Sequence, residues 1–143
     1  MLRPQPSTPT HQKHKRLRIV LYVLLAVVAL RIALAVATGF MALQAVYGAS
    51  LLFAGGEGLP DPPGFLPGEG WWPGAVSLLV IVGIPMTVAC VMQARAMPRA
   101  DDVTIAAGLI LVGWIVVQVA LIGLVWFLQP LCFVIGLALA LAG

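Results

Sequence analysis

Residues 113–136 read GWIVVQVALIGLVWFLQPLCFVIG. The run is apolar almost throughout, yet Gln118, Trp126, Gln129, Pro130 and Cys132 stand where plain filler would be Leu or Val. It reads as two apolar helices folding back on each other, and length decides where they turn. A break at Gln129-Pro130 leaves about thirteen residues after it, or about 20 Å of helix, short of the roughly 30 Å hydrocarbon core of a bilayer. A break at Gly123 to Val125 leaves both helices long enough. It also puts Pro130 early in the second helix, where a missing N–H is tolerated.

Composition names the solvent. Of 143 residues 62% are hydrophobic and 9% charged, with mean hydropathy +1.07, whereas about a quarter of residues are charged in soluble domains. An integral membrane protein is expected. At about 20 residues per crossing the length allows four helices and leaves no room for a separate catalytic domain in water.

The charges orient the chain. Lys13, Lys15, Arg16 and Arg18 crowd the start of the first apolar run, and Arg95 and Arg99 lie between the second and third. Between the first two runs there are only acids, Glu57, Asp61 and Glu69. Because positive loops stay inside, both termini and the 95–102 turn are expected in the cytoplasm. The expected localisation is the bacterial inner (plasma) membrane, multi-pass. The net charge of +3 is what orientation demands, and no nucleic-acid partner is implied.

The expected organisation is a disordered basic tail over residues 1–16, too polar to order, followed by an all-α four-transmembrane-helix bundle over 17–143. The spans fall at about 17–41, 73–94, 103–123 and 126–143, with an outer loop over 54–72. His11 and His14 in the tail read as solvated. The first apolar run, Leu17 to Phe53, would extend roughly 55 Å as a helix, so Ala42 to Phe53 is expected as a helical extension at the outer surface. The run imitates a signal peptide, but Arg31 interrupts it before the small residues, and an uncleaved anchor is the reading adopted. Ala29, Ala33 and Ala37 share one face and are expected to pack, within the bundle or between copies.

The loop GGEGLPDPPGFLPGEG holds Gly and Pro at a density no helix tolerates, and Trp71, Trp72 and Trp126 mark headgroup level. Pro85 is expected to kink the second span. Asp101 and Asp102 read as cap and dipole partners of the third. Cys90 and Cys132, predicted near opposite faces, are not expected to bond.

Arg31 is the one formal charge inside a predicted span, about 20 Å from Arg18 along the helix. Gln118 lies about 24 Å from Asp102, with Cys132 at nearly the same level and Gln129 slightly further out. Arg31, Gln118, Gln129 and Cys132 are therefore expected to form a small polar pocket. The competing reading is that Gln118 bonds a neighbouring helix while Arg31 snorkels or lies at a shifted register. No catalytic or metal motif is present, no HExxH, GxSxG or Walker loop, and no enzyme activity, metal or cofactor is implied.

The opening stretch, with GLPDPPGF and WWPG before the second span, resembles small four-helix membrane proteins of high-GC bacteria, loosely similar to the DoxX-like group. That resemblance implies a four-helix integral membrane protein and supplies no site residues. The expected function is non-enzymatic binding of membrane lipid or of a partner, either a second copy or another membrane protein. The alternative is a small oligomeric transporter or channel component with Arg31 attracting anions.

Overall fold

The computed structural model describes residues 9–62, 64, 68, 70–125 and 127–143, with side chains from residue 12 onward. The described residues form four helices and no strand. They are α1 (Pro9–Phe53), α2 (Trp72–Ala94), α3 (Ala100–Ile122) and α4 (Leu128–Ala142). The first three are long and apolar enough to cross a membrane, while α4 is shorter.

No proline follows Pro9 within α1, so nothing interrupts its 45 residues. Its contact face is a stripe of Leu34, Thr38, Met41, Ala45 and Ala49, all buried, at the three-and-four spacing that aligns residues on one side of a helix. This corrects two expectations. Residues 9–16 are helical, not a disordered tail, and residues 1–8 lie outside the described set. Residues 42–53 pack in the bundle and are not a surface extension. Of the Ala29, Ala33, Ala37 face, Ala37 packs against the core, while Ala29 and Ala33 are exposed.

The other half of α1 stands free, with every residue from 12 to 30 exposed. From Ile19 onward this half is apolar on all sides.

Helix α2 begins with Pro73 in its first turn and changes gauge in the middle, where Leu79–Gly83 form a π turn and the Ile84 N–H reaches back to the Leu79 carbonyl. The wider turn comes just before Pro85. A proline ring there would otherwise meet the carbonyl one turn back, and a π turn is one way to make the room. It carries Val82 and Gly83 into the buried interior, where Gly83 lies against Ala45 of α1.

A tight connection, with Ala96 and Arg99 in the left-handed region (φ 49° and 64°), leads into α3. Arg99, not an acid, is the residue that caps α3, and no side chain bonds its first N–H groups. Asp101 and Asp102 stand in the first turn, where a carboxylate suits the helix dipole.

The chain breaks again after Ile122, with Gly123 at φ 75°, and α4 starts at Leu128. Helices α3 and α4 cross at two glycines. A β-carbon on Gly108 would lie 2.7 Å from both the Gly136 carbonyl oxygen and the Ala140 nitrogen, and one on Gly136 would lie 3.1 Å from the Gly108 carbonyl oxygen. Only glycine permits that approach, the small-residue contact common between apolar helices.

The packing order follows the chain. Helix α1 packs most extensively on α2, and α3 packs on α2 and, more extensively, on α4, while α1 and α3 share no extended contact. The core is Met41, Val82, Met86, Leu111, Ile115 and Leu139.

Candidate functional site: an apolar cleft between α1 and α3

Because α1 and α3 are held apart by α2, a cavity of about 400 Å³ opens between them near the Trp71 end. Its walls are Met41, Ala45, Gly48 and Leu52 from α1 and Leu111, Ile115, Leu121 and Ile122 from α3. Leu78 and Val82, on either side of the π-turn entry, form part of the α2 wall. Leu128, Leu131 and Cys132 of α4 close one side, and Gly56, Glu57, Leu59 and Trp71 frame the mouth. Trp71 is buried beneath the loop, with Gly56 so close that a β-carbon there would lie 2.6 Å from its ring.

Few residues with polar groups line this space: Gln44 and Tyr47 on α1, Ser77 on α2, and Trp114 and Gln118 one turn apart on α3. Gln129 is also on the wall, but its amide is engaged. Its Oε1 accepts the Val125 N–H at 3.0 Å and its Nε2 donates to the Gly123 carbonyl at 3.2 Å. Gln129 thus closes the turn between α3 and α4. The Nε1 of Trp114 is buried and has no partner. Among the described residues Glu57 is the one charged side chain on the lining.

Of the four residues expected in one pocket, the structure brings together Gln118, Gln129 and Cys132. Arg31 lies elsewhere. It borders a shallow groove with Val28, Ile32, Gln93, Ala94 and Ala96, at the opposite end of α2. Counting depth from Arg18 put Arg31 level with Gln118, but α1 is engaged with α2 only beyond Arg31, which slides Arg31 down to the α2–α3 turn. The expected four-residue pocket is corrected accordingly. The roles expected of Trp126 and Glu69 concern residues outside the described set.

At that same end is a polar cluster that sequence reasoning missed. Gln93 is 2% exposed, and its Nε2 donates to Asp101 Oδ1 at 2.9 Å and to Thr104 Oγ1 at 3.0 Å. The Thr104 hydroxyl donates in turn to the Ala100 carbonyl at 2.8 Å. Gln93 Oε1 is buried without a partner. The one available signal was a Gln eight residues before an Asp across a tight turn.

The cleft can hold an apolar body and offer it a few hydrogen bonds; it has no nucleophile and base side by side. Among the described residues no three of His, Cys, Asp and Glu gather in a metal-binding group. No family model, curated protein or solved structure matches the chain. The likeness to the DoxX-like group therefore rests on the segments that suggested it.

Proposed function

We propose that the chain is a non-enzymatic integral membrane protein that binds a lipid in the cleft between α1 and α3. The cavity carries this reading. At about 400 Å³ it falls in the range of small-molecule pockets, which are mostly apolar with a few placed polar groups. Helices α2 and α3, each 23 residues, are about 34 Å long at 1.5 Å per residue and match a core of about 30 Å.

Interface markers support the same register. Trp71 and Trp72 stand at one end of α2, and Arg95 and Arg99 follow the other. By the positive-inside rule the arginine end is cytoplasmic, which puts both termini there and the cleft in the outer half. Helix α4, with 15 residues, is about 22 Å long, and the turn before it falls within the membrane's outer part. Backbone in lipid must be paired internally, and the Gln129 side chain supplies partners to that turn. The free half of α1 remains available for a second copy or another membrane protein.

A transport role finds less support. Arg31 is not on the cleft, and among the described residues Glu57 is the one charge at its mouth. Cysteine labelling separates the two readings. In a background with Cys90→Ala and Cys132→Ala, Gln118→Cys should react with lipid-soluble N-ethylmaleimide and resist a membrane-impermeant thiol reagent from both sides. Rapid labelling by the impermeant reagent would mean a water path and would sink the lipid reading.

A further inference from the structure

The groove beside Arg31, at the opposite end of α2 from the cleft, offers a different kind of site. We infer that it receives an acidic phospholipid of the inner leaflet, with the phosphate at Arg31 and an acyl chain along Ile32, Ala35 and Val36. The inference rests on the membrane register proposed above and stands apart from the lipid reading of the cleft.

Three observations carry it. First, the groove, of about 390 Å³, is apolar apart from Arg31 and Gln93: Val28, Ile32, Ala35 and Val36 line it from α1, and Ala94 and Ala96 from the end of α2 and the turn after it. Second, half-buried Arg31 is the one charge among the described residues on this lining. No side-chain hydrogen bond of the described residues involves it. Asp101 and Asp102 stand at the same end but off the groove, and Asp101 already accepts from Gln93. A guanidinium without an acid partner matches a phosphate in charge and geometry. Third, Ala94 and Ala96 flank Arg95 in sequence and both line the groove, so Arg31 and Arg95 stand at one level. With Trp71 and Trp72 marking the outer face, that level is the cytoplasmic headgroup region, where basic pockets between membrane helices bind acidic headgroups. From there Ile32, Ala35 and Val36 lead toward the bundle and the hydrocarbon. Inorganic phosphate would gain nothing from this apolar wall, and a zwitterionic lipid brings its own cation. An acidic phospholipid uses both the charge and the wall.

The test is made in a bilayer, because so shallow a site exchanges its lipid and loses it to detergent. Full-length protein with Cys90→Ala and Cys132→Ala is labelled with bimane at Val36→Cys, on the exposed edge of the groove, and placed in phosphatidylcholine nanodiscs. Phosphatidylglycerol with a nitroxide on its acyl chain should quench the bimane at about one-fifth the concentration needed of the matching phosphatidylcholine, the preference one surface arginine gives an anion. Arg31→Gln should bring the two lipids to within about twofold of each other, with quenching by phosphatidylcholine unchanged showing that the helix stays seated. Arg31→Lys, which keeps the charge, should retain the preference. Arg16→Gln, about 22 Å further along α1 and beyond a Debye length of about 8 Å, should retain it too. Equal quenching by both lipids before Arg31 is changed would overturn the site, as would equal loss in Arg31→Gln and Arg16→Gln. Displacement of the acidic lipid by millimolar inorganic phosphate would overturn the lipid in favour of a free anion. Quenching by neither lipid would put position 36 outside the acyl region and overturn the membrane register with the site.

Discussion

Gln93 of α2 donates to Asp101 of α3 across the turn that joins them, at 2.9 Å, with the Thr104 hydroxyl taking its second N–H at 3.0 Å. Gln93 and Thr104 are buried, so removing a partner leaves a polar group in apolar surroundings. Thr104→Val should destabilise the protein by about 1–3 kcal/mol, the range for leaving a buried group unpaired. Asp101→Asn, which keeps an acceptor, should cost less than Thr104→Val. Denaturant titration of the purified protein in mixed micelles measures both.

The crossing of α3 and α4 depends on having no side chain at Gly108. Gly108→Ala should cost about 1–3 kcal/mol, as overpacking does, because its β-carbon would meet backbone atoms 2.7 Å away. Gly113, on the same helix, has open space where a β-carbon would go. Gly113→Ala should therefore be neutral or stabilising by about 0.5–1 kcal/mol. Thermal unfolding of the two variants side by side is the comparison, and equal destabilisation would contradict the close approach.

Gln129→Leu should destabilise the α3–α4 turn by about 1–3 kcal/mol, because the Val125 N–H and the Gly123 carbonyl lose their side-chain partner. The effect should be local. Hydrogen exchange should speed up at Val125 while the amides of the Gly108 to Leu111 segment keep their protection.

How much of this was readable beforehand differs from element to element. The position of the break after Gly123 was, but the argument that placed it was not borne out: α4 has 15 residues, about 22 Å, and falls short of the thickness it was expected to cross. The partner of the cleft wall was not, because α1 is apolar on nearly every side and its composition cannot say which half packs. That ambiguity misplaced Arg31: the basic cluster ending at Arg18 was taken as the interface, whereas the buried stripe begins at Leu34. Ala29, Ala33 and Ala37 were read as one packing face, and of the three Ala37 is the one that meets the core. Small residues at fourfold spacing permit close packing without requiring it, and the stripe actually used mixes Leu, Thr, Met and Ala. Gln118 and Cys132, expected together, line the same cleft from two helices that pair. Gln93 was overlooked because a polar residue beside Arg95 looks like an ordinary interface side chain until the turn folds Asp101 and Thr104 onto it.

Arg31 borders the groove beside Gln93 and not the cleft. Arg31→Leu should leave the share of lipid-bearing chains in native mass spectra within about twofold of the wild type, as expected for distant, independent sites. A tenfold loss would restore Arg31 to the ligand site.

Lipid occupancy of the cleft is most directly read by native mass spectrometry of the protein released from a mild detergent. Wild-type chains should carry one tightly held lipid each. Ser77→Trp, which projects an indole from the α2 wall into the cavity, should lose it while keeping the thermal midpoint within a few degrees, as roughly 1 kcal/mol or less of change allows. A wild type that emerges bare, or a folded Ser77→Trp protein that keeps its lipid in the same proportion, would contradict the cleft as a lipid site.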